Sequence, residues 1–282
     1  MEHEEFRLVS PIYPVAAYIG GKKQLAGVIC ERIAVVPHST YAEPFIGMGG
    51  VFLRRRRAPK AEIINDRSGD VATFFRVLQR HYAPFMDLLK FQFTSRREFE
   101  RLVATDPATL TDLERAVRFL YLQRTAFGGK VAGRNFGVSP GMPGRFDVTK
   151  LGDLLTALNE RLAGVIIENL PFHEFIKRYD GPGVLFYLDP PYFGSEGDYG
   201  AGMFARADFE SLAELLGSIA GMFILSLNDA PAVRRIFKAF EMAEVDLTYT
   251  IGEGSAKPVR ELIITPIGLP RLAPSNPQLF ED

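Results

Sequence analysis

Short apolar runs punctuate the chain and alternate with longer amphipathic stretches. Thr40-Tyr41-Ala42-Glu43, Ala61-Glu62-Ile63-Ile64, Val165-Ile166-Ile167-Glu168, Val184-Leu185-Phe186-Tyr187-Leu188 and Met222-Phe223-Ile224-Leu225-Ser226 have the length and content of buried strands. Strands alternating with helical segments predict an α/β protein with a doubly wound sheet. Leu247-Thr248-Tyr249-Thr250-Ile251 and Glu261-Leu262-Ile263-Ile264-Thr265 are placed to pair as a closing hairpin.

The pattern changes between Val71 and about Lys150. Strand-like runs give way to helical periodicity, as in Arg97-Glu98-Phe99-Glu100-Arg101-Leu102-Val103 and Leu113-Glu114-Arg115-Ala116-Val117-Arg118-Phe119-Leu120. This predicts a mostly helical insertion over 71–150, with Phe74, Phe75, Phe85, Phe91 and Phe93 as its core. The surrounding core then comprises 1–70 and 151–267. The tail, 268–282, carries Pro270, Pro274 and Pro277 and is expected to lack fixed structure. Its Gln278-Leu279-Phe280 could dock on a partner, though disorder is the expectation.

Of 282 residues, 47% are hydrophobic, enough for an ordinary globular core. The formal net charge of −1 conceals an asymmetry, because 71–150 holds 13 Lys/Arg against 7 Asp/Glu. A nucleic-acid-binding protein needs a basic face, and the insertion offers one. Cys30 is the only cysteine, which excludes an internal disulfide and a thiolate cluster; it reads as a small core residue on a helix. His3, His38, His81 and His173 have no ligand spacing, so no metal is expected. There is no apolar run of the roughly 18–20 residues that a membrane span requires, nor a secretory leader pattern in MEHEEFRLVS. A cytoplasmic, soluble protein is expected, with its oligomeric state open and a monomer sufficient.

Glu43-Pro44-Phe45-Ile46-Gly47-Met48-Gly49-Gly50 lies between a strand and a helix expected near Val51. Glycines there let backbone approach a ligand, and a helix N-terminus offers free N–H groups. Asp66 follows Gly47 by 19 residues, at the end of the next strand. In nucleotide-type folds that acid accepts hydrogen bonds from ribose hydroxyls. Loop and acid together point to an adenosine-bearing cofactor, without separating a nicotinamide dinucleotide from S-adenosylmethionine.

Asp189-Pro190-Pro191-Tyr192 directly follows the run ending at Leu188, at a strand C-terminus where α/β sheets bind ligands. An exocyclic ring amine is a poor nucleophile because its lone pair is delocalised. Two acceptors drawing on its two N–H bonds favour a localised lone pair, and the Asp189 carboxylate and Pro190 carbonyl can be those acceptors. Consecutive prolines fix φ and remove competing N–H donors. Tyr192 can stack on a base extruded from a duplex. The chemistry needs neither thiol nor metal.

With these motifs in place, the chain resembles the Dam-type (alpha-class) site-specific DNA adenine-N6 methyltransferases from about Ala17 to Thr265. Tyr18-Ile19-Gly20-Gly21-Lys22, Glu43 to Gly49, Ile64-Asn65-Asp66, Phe119-Leu120-Tyr121-Leu122-Gln123-Arg124 and Asp189 to Tyr192 occur in family order. The resemblance implies a Rossmann-like S-adenosylmethionine-dependent core carrying a helical DNA-recognition insertion. It implies that Tyr18, Lys22, Phe45, Gly47, Asp66 and Asp189 contact the cofactor, with Asn169 and Leu170 near its adenine. Gly20, Gly21, Glu43, Gly49 and Asn65 belong to the same matched cofactor segments or adjoin their contacts. Double-stranded DNA is the implied partner. After Leu122 the family has Asn-Arg and an aromatic-Asn-Gly turn, at positions that face DNA. This chain instead has Gln123-Arg124-Thr125-Ala126-Phe127-Gly128-Gly129-Lys130 and a shortened loop to Asn135-Phe136-Gly137-Val138, so a GATC target does not follow.

Arg124, Lys130, Arg134 and Asn135 are the expected DNA contacts, in a polar loop of the basic insertion. Arg54-Arg55-Arg56-Arg57 reads as the end of the helix after the glycine loop, on a solvated face or against DNA. Ser226-Leu227-Asn228-Asp229 is either a turn with a helix cap or part of the site. The loop holding Gly194, Gly197, Gly200 and Gly202 is expected to be mobile and to order over a ligand. Rival readings are a cytosine-N4 methyltransferase, a non-catalytic S-adenosylmethionine-binding DNA-binding protein and a dehydrogenase. A restriction-modification, orphan or viral role stays open.

Overall fold

A computed structural model describes residues 6–22, 24–137, 141, 143–200, 202–249 and 257–269. The expectations for Val138, Thr250, Ile251 and the tail from Pro270 fall outside them.

Seven strands form one sheet in the order β5-β4-β2-β6-β7-β9-β8. These are β2 (Thr40–Glu43), β4 (Ala61–Asn65), β5 (Ile166–Glu168), β6 (Val184–Leu188), β7 (Met222–Asn228), β8 (Glu241–Tyr249) and β9 (Lys257–Thr265). The first five are parallel; β9 runs antiparallel to β7, and β8 to β9. A separate antiparallel pair joins β1 (Arg7–Leu8) to β3 (Arg57–Ala58). The doubly wound α/β fold expected from the alternation is the one observed, in keeping with the Rossmann-like core that the resemblance implies. The closing hairpin begins earlier than its apolar part suggests, because β8 starts at Glu241 on an alternating pattern rather than a continuous one.

Side chains sort by the two-residue period of a strand. On β6, Leu185 and Tyr187 join one hydrophobic cluster while Val184, Phe186 and Leu188 join another. The second cluster is roofed by α7 (Phe172–Tyr179), α8 (Asp208–Leu216) and α9 (Pro231–Ile236). The first takes in α1 (Ala26–Val35), α2 (Gly69–Arg80), α3 (Tyr82–Leu89), α4 (Arg96–Ala104), α5 (Asp112–Thr125) and α6 (Val148–Arg161). The expected helical insertion therefore shares a continuous core with one sheet face, and α6 runs across its expected boundary at Lys150. Capping fixes two of its helix starts. Ser95 accepts from the Glu98 N–H, and Thr111 and Glu114 form a reciprocal capping box. No helix among the described residues is long and apolar enough to cross a membrane.

Two expectations need correcting. Phe74, Phe75 and Phe85 are fully buried, but Phe91 and Phe93 are 79% and 67% exposed. They lie in the α3–α4 connection, beyond the amphipathic face whose last inward residue is Leu89. The glycine loop leads not to a helix but to one 3-10 turn, Phe52–Arg54, followed by β3. The arginine run accordingly splits: Arg56 and Arg57 are exposed, Arg54 is half-buried and Arg55 is buried. Glu62 binds both Arg55 and Arg161, the latter through two contacts of 2.7 Å. The Arg55 guanidinium lies 3.6 Å from the centre of the Tyr41 ring, and that of Arg161 lies 3.9 Å from Phe52.

A buried ion cluster is destabilised mainly by removing one member, because the remaining charges are stranded. Glu62→Gln should cost about 3–5 kcal/mol, read from the urea midpoint; an unchanged midpoint would refute this account of the cluster.

Candidate active site

The chain places β2 at the centre, adds β4 and β5 on one side, then returns to add β6 and β7 on the other. Between β2 and β6 the winding direction reverses, and ligands of open α/β sheets bind at that point beyond the strand C-termini. The glycine loop leaves the end of β2 there, and Asp189-Pro190-Pro191-Tyr192 leaves the end of β6.

Gly47 and Gly49 have φ of +50° and +77°, a region that favours glycine. A Cβ on Gly49 would meet Leu53 at 2.9 Å, and one on Gly47 would press on the Tyr18 ring at 3.1 Å. Turned this way, Gly47 N–H donates to Asp66 Oδ2 at 2.9 Å, while Ser68 N–H donates to Oδ1 at 2.8 Å. Burial raises the Asp66 carboxyl to about 6, against those two hydrogen bonds. Each oxygen keeps a lone pair for a further donor.

These groups open onto a cavity of about 370 Å³, within the range of small-molecule sites, about 300–1,000 Å³. Tyr18, Gly20, Gly21, Lys22, Glu43, Phe45, Gly47, Asp66, Asp189 and Pro191 all line it, which brings together the majority of the expected site residues. Phe204 packs edge-on to Phe45 with centroids 5.9 Å apart. Tyr199, in the glycine-rich loop after Tyr192, donates to the Ile19 carbonyl at 3.1 Å beside Tyr18. Arg54, also in the lining, stands 5.3 Å from the Tyr13 ring centre.

Asp189 is the charged group at the junction. Its carboxylate is 20% exposed and pairs with the buried Lys22 ammonium at 2.9 Å, while Ser226 donates to it at 3.2 Å. Burial pushes its carboxyl up to about 6, against the attraction of Lys22. The same Lys22 ammonium reaches Glu261 at 3.1 Å and donates to the Tyr192 hydroxyl at 2.7 Å, and that hydroxyl donates to Glu261. Glu43, which accepts from the Tyr41 hydroxyl at 2.6 Å, is pushed up to about 8 by burial. Pro190 is buried, and no described residue donates to its carbonyl.

Other expected residues stand outside the lining. Tyr192 sits behind Lys22, which lies 4.1 Å from its ring centre. Asn65 clamps the strand ends, donating to the Pro44 and Leu170 carbonyls and accepting from Leu170 N–H. Asn169 donates to the Asp66 carbonyl. In the insertion, Lys130 and Asn135 are exposed and Arg134 half-buried. Arg124 reaches the cavity rim but gives its guanidinium to the carbonyls of Val15 and Arg145. Gln123 turns inward rather than toward a DNA face, 1% exposed and bonded to the Ala17 and Gly129 carbonyls. Its amide gives the Ala17 carbonyl a donor and joins Ile19 N–H on that of Gly129. Of the Ser226–Asp229 run, Ser226 joins the site, while Asn228 exchanges hydrogen bonds with Phe193 and Asp229 pairs with Arg234. Sequence reasoning missed Glu261 and Tyr199; the one available signal was a lone acid within an apolar strand run.

Comparison with known proteins follows the same lines. The family described as D12 class N6 adenine-specific DNA methyltransferase matches residues 18–251. The chain is 26% identical over 280 residues to the type II methyltransferase M1.LlaDCHI of Lactococcus lactis subsp. cremoris, covering 90% of this chain and 95% of that one. It is 21% identical over 216 residues to the type II methyltransferase M.CviBI of Paramecium bursaria Chlorella virus NC1A, covering 75% and 81%. Identity is 24% over 276 residues to the DNA adenine methylase of Haemophilus influenzae, covering 89% and 92%.

The raised Asp189 carboxyl carries a stability cost with a definite sign. A folded-state value of about 6 against roughly 3.9 unfolded means that the folded chain holds the proton more tightly. Stability is therefore lost as pH rises from about 4 to 6 and stays lost above. Asp189→Asn should raise stability at pH 7.5 by up to about 3 kcal/mol and change little at pH 4. Melts at both pH values check it; equal effects would contradict the account.

Proposed function

The chain belongs to the D12 class N6 adenine-specific DNA methyltransferases, and from that premise we propose how its cavity serves the transfer of a methyl group to adenine N6 in DNA. One observation carries the reading: Asp189 lines the same cavity as Gly47 and Asp66, across the β2–β6 junction.

The cavity's chemistry fits S-adenosyl-L-methionine. Asp66 has free lone pairs for two ribose hydroxyls, Phe45 and Phe204 offer an apolar wall for a purine, and Arg54 a cation for a carboxylate. Tyr18, Gly20, Gly21 and Lys22 close the cavity from the N-terminal segment. Asn65, Asn169 and Leu170 act from behind, holding the ends of β4 and β5 in place. When bound, this cofactor supplies an electrophilic methyl group on a sulfonium, and no metal is required.

Asp189 accepts one N–H of the adenine amine and the Pro190 carbonyl the other, which localises the nitrogen lone pair. Both acceptors are fixed before the base arrives, Asp189 by Lys22 and Ser226, and Pro190 by the two rings. Asp189 is also the nearest acceptor for the proton that the amine sheds. Pro191 sets the wall against which the extruded base rests, and Tyr192 braces Lys22 from behind. Helices α2–α6 carry the DNA-recognition surface, with Lys130, Arg134 and Asn135 facing double-stranded DNA and Arg124 bracing the loop at the cavity rim. The enzyme works in the cytoplasm on nucleoid DNA.

Asp189→Ala should lower methylation by a factor of about 100–1,000 or more without changing DNA affinity in a gel-shift assay; undiminished turnover would sink the assignment. Mass spectrometry of the product should show N6-methyladenine and no N4-methylcytosine. Because the ionised carboxylate is the acceptor, kcat/KM should fall about tenfold per pH unit below the Asp189 value of about 6.

A further inference from the structure

Glu261 enters the site from a strand that none of the sequence motifs touches. It stands on β9 opposite Asn228 of β7, just before Leu262, Ile263 and Ile264, and is fully buried. An ionised carboxylate in such a place is costly unless paired. Its partners include the Lys22 ammonium at 3.1 Å and the hydroxyl of Tyr192. Nothing in the sheet hydrogen bonding requires an acid at this position, because β9 pairs with both neighbours through backbone.

The consequence lies in how one cation is shared. Lys22 alone with Asp189 would form a neutral buried pair. With Glu261 added, one ammonium is shared between two carboxylates. Asp189 lines the cavity, whereas Glu261 does not. The carboxylate that is thereby less fully neutralised is the one on the side where the amine is expected.

We propose that Glu261 is a positioning residue for methyl transfer: it draws the Lys22 ammonium and the Tyr192 hydroxyl away from the cavity, leaving Asp189 anchored yet negative enough to accept from the amine. The inference rests on the reading of Asp189 as the amine's acceptor.

The groups around Asp189 pull in two directions. Lys22 from the N-terminal segment and the Ser226 hydroxyl from β7 favour its ionised form, and Glu261 from β9 opposes it. Glu43 from β2, Tyr187 from β6 and Tyr199 from the following loop also feel the Asp189 charge. Removing the Glu261 charge hands Lys22 wholly to Asp189, so the carboxylate ionises more readily but accepts less well.

Glu261→Gln, nearly identical in shape, tests this in the full-length enzyme on duplex DNA. We expect kcat to fall about 10–100-fold with little change in KM for either substrate. The acidic limb of kcat/KM should move down by about one pH unit. Glu261→Asp, which keeps the charge, should leave that limb in place, and it carries the test should the glutamine variant not fold. A glutamine variant that loses rate with the limb unmoved marks Glu261 as merely structural, and wild-type rate with an unmoved limb overturns the proposal as well. So does a displaced limb in the aspartate variant. Asp189→Asn retaining wild-type turnover would instead sink the reading of Asp189 itself.

Discussion

Thr40 and Val184 are register partners although β3, β4, the whole helical insertion, β5 and α7 lie between them in sequence. This pairing of β2 with β6 sets the glycine loop beside Asp189. Closing so long a connection adds little entropy beyond a shorter one, since the cost grows only logarithmically with length. The register, by contrast, is tightly held, because β6 is buried on both faces and its side chains alternate between two clusters. A slip of one residue would exchange Tyr187 and Leu188 between those clusters and turn the Asp189 carboxylate from the cavity. The core thus fixes the chemistry through register rather than through any contact of its own.

Two buried ion clusters sit near this junction, and they differ in how they meet the cavity. Arg55, Glu62 and Arg161 carry an excess cation, and each arginine is covered by an aromatic face. That arrangement is closed: no member of it lines the cavity. In the other, Asp189 and Glu261 share the Lys22 ammonium, and Asp189 opens onto the cavity. Burial of charge by itself marks neither structure nor function. Whether a member of the cluster faces the cavity separates them.

The parts of this arrangement that local chemistry encodes were legible in the sequence. The strand runs and the Asp189–Tyr192 tetrad announce themselves within a few residues, and the Gly47–Asp66 relation within 19. The rest depends on tertiary placement. Four consecutive arginines look like a helix end, yet Arg55 folds inward because Glu62 and Tyr41, distant in role, await it. Phe91 and Phe93 look like core because phenylalanine is usually buried, and only the end of α3 at Leu89 leaves them outside. Glu261 gives no local sign of its partners, since both come from segments far away in sequence. The inward turn of Gln123 was equally hidden, as the position reads as a polar helix end.

That turn bears on how the end of α5 is joined to the cavity. The wall of the cavity formed by residues 15–19 makes few hydrogen bonds within itself and takes several from the end of α5 and the loop beyond. Gln123 holds the Ala17 carbonyl, Arg124 holds that of Val15, and Ile19 N–H donates to Gly129. Gly129 lies so close that a Cβ would sit 2.8 Å from the Ala17 carbonyl carbon. The same loop presents Lys130 and Asn135 on its exposed side. A shift of this loop would therefore move the wall that carries Tyr18, because well-packed groups transmit displacement rather than absorb it. Lys22 follows that wall by three residues and pairs with Asp189, so the loop and the Asp189 carboxylate are joined through one short stretch of chain.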